Sequence, residues 1–449
     1  MKLPAYRTYK ASGVAWFGEV PHDWQTTSLR RIARRYAGGT PDKANENYWE
    51  NGTIPWINSG SVNQHLISEP SAFITEEAYA NSSARWVRQG SLVMALAGQG
   101  KTKGMVAQVA IDTTCNQSMA AICPNQQSLA RYLYWLLVSQ YSHIRNMAGG
   151  EQRDGLNLDI LGSIPVLLPK SEQRAIADFL DRETARLDTL VGKKRELIQK
   201  LKEKRTVLIS RTVTRGLSAA AAAQAGLNSH SKLKPSGIEW LGHIPEHWGT
   251  RKLKRISDVI TVGVVVNPSS YVTDEGVPFL LGGDIREFRI DTHNCNYCSR
   301  ESSNGPLRKS RLDGGDLVVV RVGYPGVAAV VPDELSGSNC ASMMLVRRHK
   351  RFNSQWLAYV FNSQSGRDQV EIVQYGAAQK QFNISHAVEF EFPFPPLPEQ
   401  NKMADYLDGE TAKLDRMMEK VEAAIEKLQE YRTALITAAV TGKIDVRKK

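Results

Sequence analysis

The sequence has little of what would place it in a membrane, an oxidising compartment or an active site. No run of 18 apolar residues occurs, so no membrane span is expected. The opening MKLPAYRTYK lacks an apolar core and does not read as a secretory signal. Cysteines number five (Cys115, Cys123, Cys295, Cys298, Cys340), few and odd in count, which fits a reducing cytoplasm rather than a disulfide framework. Cys295 and Cys298 form one C-x-x-C with no second pair after it. His293 and Cys340 could complete a zinc site only by coincidence, so ordinary loop thiols are expected. The D/N-P-P-Y/F tetrapeptide of a methyltransferase is missing, as is a Gly-rich cofactor loop after an opening strand, and nothing resembles a helicase motif set. No nuclease carboxylate cluster stands out. The chain is therefore expected to be no catalyst by itself and to hold no metal or cofactor of its own.

Acidic charge is also short, with 46 Asp+Glu against 57 Lys+Arg, a formal net charge of +11. A basic balance favours a polyanionic partner, nucleic acid first. At 449 residues, 42% hydrophobic and 23% charged, the composition is that of an ordinary globular protein of two to four domains.

What is present is a duplication. Residues 171–215, SEQRAIADFLDRETARLDTLVGKKRELIQKLKEKRTVLISRTVTR, return from Pro398 as PEQNKMADYLDGETAKLDRMMEKVEAAIEKLQEYRTALITAAVTG. A shift of 227 positions matches Glu172 to Glu399, Gln173 to Gln400, Asp181 to Asp408, Leu187 to Leu414 and Arg205 to Arg432. Self-similarity of this length without a gap marks a repeat. Both stretches predict long helices: Ser171 is a suitable N-cap, no proline lies inside, and apolar residues recur at three- and four-residue steps. In the first the stripe is Ile176, Leu180, Leu187, Leu190, Val191, Leu197, Ile198, Leu201 and Leu208. In the second it is Met403, Leu407, Leu414, Met417, Val421, Ile425, Leu428 and Leu435. At 1.5 Å per residue each would reach roughly 65 Å, and a helix that long with one narrow stripe needs a partner helix. The first holds 12 Lys+Arg against 7 Asp+Glu and the second 6 against 9, so opposite net charges favour their pairing.

A second motif is doubled as well. KASGVAWFGEVPHDW from Lys10 returns as KPSGIEWLGHIPEHW from Lys234. Its tryptophans, Trp16, Trp24, Trp240 and Trp248, are expected in cores and packing contacts rather than stacked on bases. The strands Gly90-Ser-Leu-Val-Met-Ala and Gly315-Asp-Leu-Val-Val-Val stand in corresponding places, and a helix follows in each half. Between these landmarks, residues 40–128 and 265–350 share turn positions and little else. The scaffold is repeated while the inserts diverge. The stretch at 216–232 reads as a flexible linker, although its Ala run could extend the helix a little. The expected division is 1–168 and 234–396 for two α+β domains in tandem pseudo-repeat, 169–216 and 397–449 for the long helices, and 217–233 for the linker.

The doubled SGIEWLGHIPEHW motif, the paired helices KSEQRAIADFLDRETARLD and LPEQNKMADYLDGETAKLD, and the two dissimilar inserts together resemble the specificity subunit of type I restriction–modification enzymes. The resemblance covers essentially the whole chain. It implies that the inserts are target-recognition domains, each reading half of a split sequence in double-stranded DNA. It implies that the long helices pair as an antiparallel coiled coil, through Leu180, Leu187, Ile198, Leu201, Leu208, Leu407, Leu414, Ile425, Leu428 and Leu435. The expected partners are two methyltransferase subunits and restriction/translocase subunits, which would hold S-adenosylmethionine, ATP and Mg, in the cytoplasm of a bacterium or archaeon. Two basic domains at a fixed separation would read half-sites about one helical turn (~34 Å) apart, and since the inserts differ the site should be asymmetric. The rival from the enzyme class is a self-contained methyltransferase or nuclease. A helical scaffold without DNA binding is the third reading, and the basic inserts count against it.

Candidate DNA-contacting residues follow from loop position and chemistry. ALAGQGKT, Ala95 to Thr102, fits the phosphate-loop pattern formally, but such a loop must open a helix so that N–H groups face phosphate. Here the continuation reads as a strand, and the equivalent place from Arg321 lacks Gly-Lys-Thr. Both are expected to be hairpin turns that present Gln99, Lys101 and Lys103, and Arg321 and Tyr324. The polar loops 149–157 and 376–383 correspond between halves and offer Gln152, Arg153, Gln379 and Lys380, amides and cations that suit base and phosphate contacts. For any such stretch a solvated loop is the commoner case. Asn116 and Gln117, with Asn339 in the second half, are similar candidates, and Asn58, Ser59, Asp284 and Arg286 complete the set.

Overall fold

The structure is a computed structural model that describes residues 4–447 apart from 99, 148–154, 170, 228–231, 266 and 376–379. Contacts divide it into two units, Met1–Lys194 with Ala423–Lys449, and Arg195–Glu422. Each unit holds one globular part and a segment of both long helices.

In the first unit a sheet runs in the order Ala33–Ala37, Met119–Pro124, Leu92–Ala95, Val106–Val109, Leu66–Ile67. A second sheet has the order Ala72–Ile74, Ile54–Ile57, Thr113–Cys115, Trp86–Val87. The central strand Leu92–Ala95 is an unbroken apolar run because both its faces are covered. Leu92 and Met94 join one core with the helix Ala130–Ser139, while Val93 and Ala95 join another with Ile57, Val109 and Met119. The two-residue alternation of a strand sorts neighbours into separate cores.

The second unit repeats this. Its sheet has the order Ile260–Val262, Met343–Val346, Leu317–Val320, Ala328–Val330, and its second sheet Val272–Thr273, Asn296–Cys298, Val277–Leu280, Asn339–Cys340. Leu317 and Val319 pack in one core with Trp356 and Phe361, and Val318 and Val320 in another with Leu280 and Met343. So the divergent inserts hang on one strand plan. In both halves a strand of the second sheet pairs in parallel with the one before the last sheet strand: Ile54–Ile57 with Thr113–Cys115, and Val277–Leu280 with Asn339–Cys340.

The long helices are Gln173–Arg215 and Leu397–Val440. Within the first unit Asp188 pairs with Arg432 at 2.9 Å and Glu172 with Arg447 at 2.9 Å, so partners fall along one chain as they rise along the other, an antiparallel pairing. Within the second unit Arg205 pairs with Asp415 at 3.3 Å, and Ile209 and Val213 share a core with Met403 and Leu407, again antiparallel. Leu180 and Leu407 are fully buried, Leu414 and Leu435 nearly so, and Leu187, Ile198, Leu201, Leu208, Ile425 and Leu428 half-buried. Leu407, Leu414, Val421, Leu428 and Leu435 stand seven apart, the spacing that keeps one seam against a partner helix. Leu190, Leu197 and Met417, expected on the stripe, are more than 40% exposed (42%, 45% and 52%) and lie off the seam.

The repeated polar residues dock each helix onto its own globular part. Asp181 accepts from the Trp135 indole N–H at 2.8 Å and from Arg131, and its equivalent Asp408 accepts from Tyr359 at 2.6 Å and Gln355 at 2.9 Å. Glu172 accepts from the Tyr6 hydroxyl at 2.5 Å, and Glu399 from Trp248 at 2.9 Å and His247 at 2.8 Å. Gln400 donates to the Pro395 carbonyl at 2.9 Å and accepts from the Asn353 N–H. Trp24 and Trp248 are buried as expected, but Trp16 and Trp240 are not: they are 38% and 43% exposed, and Trp16 stacks on His143. The Ala run read as linker forms a helix of its own, Ala219–Gln224, capped by Ser218, with Ala221 and Ala222 in the second unit's core.

Candidate nucleic-acid interface

Each central strand ends in a hairpin turn. Leu92–Ala95 continues into Val106–Val109, antiparallel with Val106 opposite Met94, and Leu317–Val320 continues into Ala328–Val330. No helix opens after ALAGQGKT, so the phosphate-loop geometry is absent there.

The structure brings this turn against the late polar loop in both halves. In the first unit the Leu156 N–H donates to the Leu96 carbonyl at 2.8 Å. Tyr141 donates to the Lys101 carbonyl at 2.5 Å, and Arg145 donates to the Gly100 carbonyl. In the second unit the Phe382 N–H donates to the Arg321 carbonyl at 3.2 Å, Arg321 Nε donates back to the Phe382 carbonyl at 3.0 Å, and Gly323 N–H donates to the Lys380 carbonyl. Val322 and Tyr375 each bridge Gln381. Two candidate stretches about 60 residues apart in sequence thus form one surface. It presents Tyr324 at 80% exposure, half-buried Arg321 and exposed Lys380, with exposed Lys101 in the equivalent place of the first unit.

Tyr375, 44% exposed and bonded through its hydroxyl to Asn383 at 2.9 Å, belongs to the second of these surfaces, and Tyr141 and Arg145 to the first. Sequence reasoning passed over all three. Their only signal was proximity to the corresponding loops.

Other candidates sit elsewhere. Asn58 is exposed but caps its own turn, accepting from Gly60 N–H at 2.8 Å, and Ser59 beside it is half-buried. Gln117 is exposed and accepts from the Thr40 hydroxyl, while Asn116 is half-buried with its Oδ1 buried and unbonded among the described residues. Arg286 is exposed and folds back onto the Gly283 carbonyl.

Two candidates, Asn339 and Lys103, are corrected, and a third, Asp284, is half-buried and engaged in its own turn. Asn339 is fully buried, its amide donating to the Leu307 carbonyl at 2.8 Å and to Ser310, so it ties strand to turn and cannot reach a ligand. Lys103 is 6% exposed, buried rather than displayed. The Asp284 carboxylate accepts from Leu281 N–H at 2.7 Å, capping its own turn, and its burial pushes its pKa up. Gln99, Gln152, Arg153 and Gln379 lie outside the described residues.

Cys115 and Cys340 are buried, and burial, the largest cause in each, pushes the thiols up to about 12, with Cys123 adding to the rise at Cys115. Among the described residues no three His, Cys, Asp or Glu side chains gather as metal ligands, and no helix is long and apolar enough to cross a membrane.

Residues 21–200 match the family model of the Type I restriction modification DNA specificity domain. The chain is 30% identical over 196 residues to the specificity subunit of the type I restriction enzyme EcoR124I/EcoR124II of Escherichia coli, covering 43% of this chain and 47% of that protein. So it spans about half the length of that relative. With the type I restriction enzyme MjaVIII specificity subunit of Methanocaldococcus jannaschii identity is 22% over 324 residues, 70% of each chain. A chain from a solved type I R-M system, studied for complex assembly and conformational transition, has the same fold with a TM-score of 0.70 at 16% identity, over 94% of this chain and 98% of that one. The chain resembles the specificity subunits of type I restriction enzymes in sequence, chiefly through residues 21–200, and over nearly its whole length it shares the fold of a chain from a solved type I R-M system.

Proposed function

We propose that the chain is the DNA-reading subunit of a type I restriction–modification complex, with no catalysis of its own. Each half reads one part of an asymmetric, two-part site in double-stranded DNA. One observation carries this: the same strand plan and docking residues occur twice, while the stretches they present differ. Duplication of the frame with divergence of what it displays is what two separate readers of different sequences require.

Bases would be read at the paired turn and loop of each half, with Arg321 on a base edge and Lys101 on phosphate. The helix pair would hold the two readers and dock two methyltransferase subunits, with restriction/translocase subunits beyond them. S-adenosylmethionine, ATP and Mg would be bound by those partners. Exchanging residues 40–128 for the first insert of another specificity subunit tests the reading. Methylation mapping should show one half of the site changed and the other kept. A change in both halves, or in neither, defeats the modular account.

A further inference from the structure

Each unit carries a cleft that the turn-and-loop surface does not use. In the first unit it encloses about 500 Å³ where Gly90 and Ser91 lead into the central strand, beside Gln127 and Ala130 at the head of the following helix, and Arg34, Arg85 and Arg88 line it. In the second unit the equivalent place, Gly315 before Leu317–Val320 and Ser354 at the head of the following helix, is a cleft of about 680 Å³ lined by Arg348, His349 and Lys350. The backbones agree. Gly90 and Gly315 have φ of +84° and +85°, a left-handed conformation that favours glycine, and a side chain of the cleft (Gln127 or Arg348) occupies the place a Cβ would take.

The cations come from different segments in the two halves. Arg34 stands on the edge strand and Arg85 and Arg88 flank Trp86–Val87, whereas Arg348 and Lys350 follow the strand Met343–Val346. What the halves share is therefore the charge and its place, not the residues. Among the described residues Arg34, Arg85, Arg348 and Lys350 make no ion pair with a carboxylate, while Arg88 is held by Asp112 at 2.7 Å. Gathered cations without counter-charge repel one another and favour an anionic ligand.

We propose that these clefts are a matched pair of sequence-independent sites for the phosphate backbone of duplex DNA, separate from the base-reading turns. The inference rests on the DNA-reading function above. Six residues of extended chain separate cleft from turn in each half (Gly90 to Leu96, Gly315 to Arg321), about 20 Å at 3.3 Å per residue, so the cleft meets a different stretch of backbone from the turn. A uniform polyanion accepts cations placed by any segment, provided that sign and position are kept. An acidic protein surface would need matched side chains, and these two clefts do not share any.

The test uses the complex isolated through this chain, carrying Arg34→Ala, Arg85→Ala, Arg348→Ala and Lys350→Ala together. Binding is measured over a salt series on three duplexes: the recognised site with long flanks, the same site trimmed to its ends, and an unrelated sequence of the long length. Loss of four phosphate contacts should lower the salt slope on long duplexes by about 3 to 4 units. Specific and unrelated long duplexes should weaken alike, with their ratio kept, and trimmed sites should change little. A variant with Arg34→Lys and Arg85→Lys should keep the wild-type slope, which a merely structural role for the arginines would not ensure. Unchanged affinity and slope on long duplexes overturn the proposal, as does loss of partner subunits with DNA affinity intact, which would assign the clefts to an acidic protein. Failure of the unaltered complex to bind any duplex would instead defeat the DNA-reading function itself.

Discussion

Arg321 is where the structure allows the sharpest prediction. Its Nε is committed to the Phe382 carbonyl at 3.0 Å, and its own carbonyl accepts the Phe382 N–H, so the side chain is fixed at the end of the central strand. Only the two terminal amino groups of the fork remain for DNA. A planar pair of donors held from behind suits the two acceptors of a guanine edge, a contact of about 1–3 kcal/mol at one base pair. The bond to Phe382 contributes about 1 kcal/mol to ordering the loop, and that part is independent of sequence. Arg321→Ala should therefore weaken cognate DNA by about 2–4 kcal/mol, roughly 30- to 1000-fold, and unrelated DNA far less. Arg321→Lys keeps the charge but loses both the fork and the fixed Nε donor. It should keep the salt slope while relaxing specificity at a single base pair. Competition binding over all single-base variants of the site, at two salt concentrations, separates these outcomes. If Arg321→Lys retained full discrimination, a point charge would suffice and the base-edge assignment would fail. If Arg321→Ala weakened every sequence alike, the contact would be to phosphate.

Three further outcomes follow from the packing. Asp181→Ala leaves the Trp135 N–H, on a ring only 3% exposed, without its acceptor. That should cost about 2–3 kcal/mol and lower the melting temperature of its unit by about 4–10 °C. Asp181→Asn keeps an acceptor and loses only a part-exposed ion pair, so it should cost about 1 kcal/mol or less, and equal calorimetric losses in the two variants would sink the docking role. Leu187→Asp with Leu414→Asp places carboxylates in the helix seam and should prevent assembly with methyltransferase subunits by native mass spectrometry, whereas assembly at wild-type affinity would remove the seam from the account. Cys115 and Cys340 keep their protons to about 12 when folded, against 9.0 for an ordinary thiol. The unfolded chain releases those protons first, so the stability they contribute is complete below pH 9 and declines between pH 9 and 12. Urea unfolding at pH 8 and 10.5 should show a larger loss in the wild type than in Cys115→Ala with Cys340→Ala, and native-state labelling of either thiol at the rate of a free cysteine would contradict its burial.

The sequence alone determined the duplication, the two long helices and the likeness to specificity subunits. Helix periodicity and repeated motifs are local, and they survive even where the inserts have diverged. It also determined that the inserts hang on apolar strands, because Leu92–Ala95 and Leu317–Val320 are buried on both faces and must be apolar throughout. It did not determine which polar residues face outward. Asn339 and Lys103 look like any loop candidates in sequence, and the fold buries them, while Asp284 is taken up in capping its own turn. Neither did the stripe show that Leu190, Leu197 and Met417 fall outside the seam, since an apolar face is wider than the line a partner helix covers. The tertiary structure alone gave the repeated acids their purpose. Asp181 and Asp408 recur because each helix must be anchored to the domain before it, by Trp135 and Arg131 in one half and by Tyr359 and Gln355 in the other. The acceptor is retained while its donors change, a relation between residues some 50 positions apart that no local pattern records.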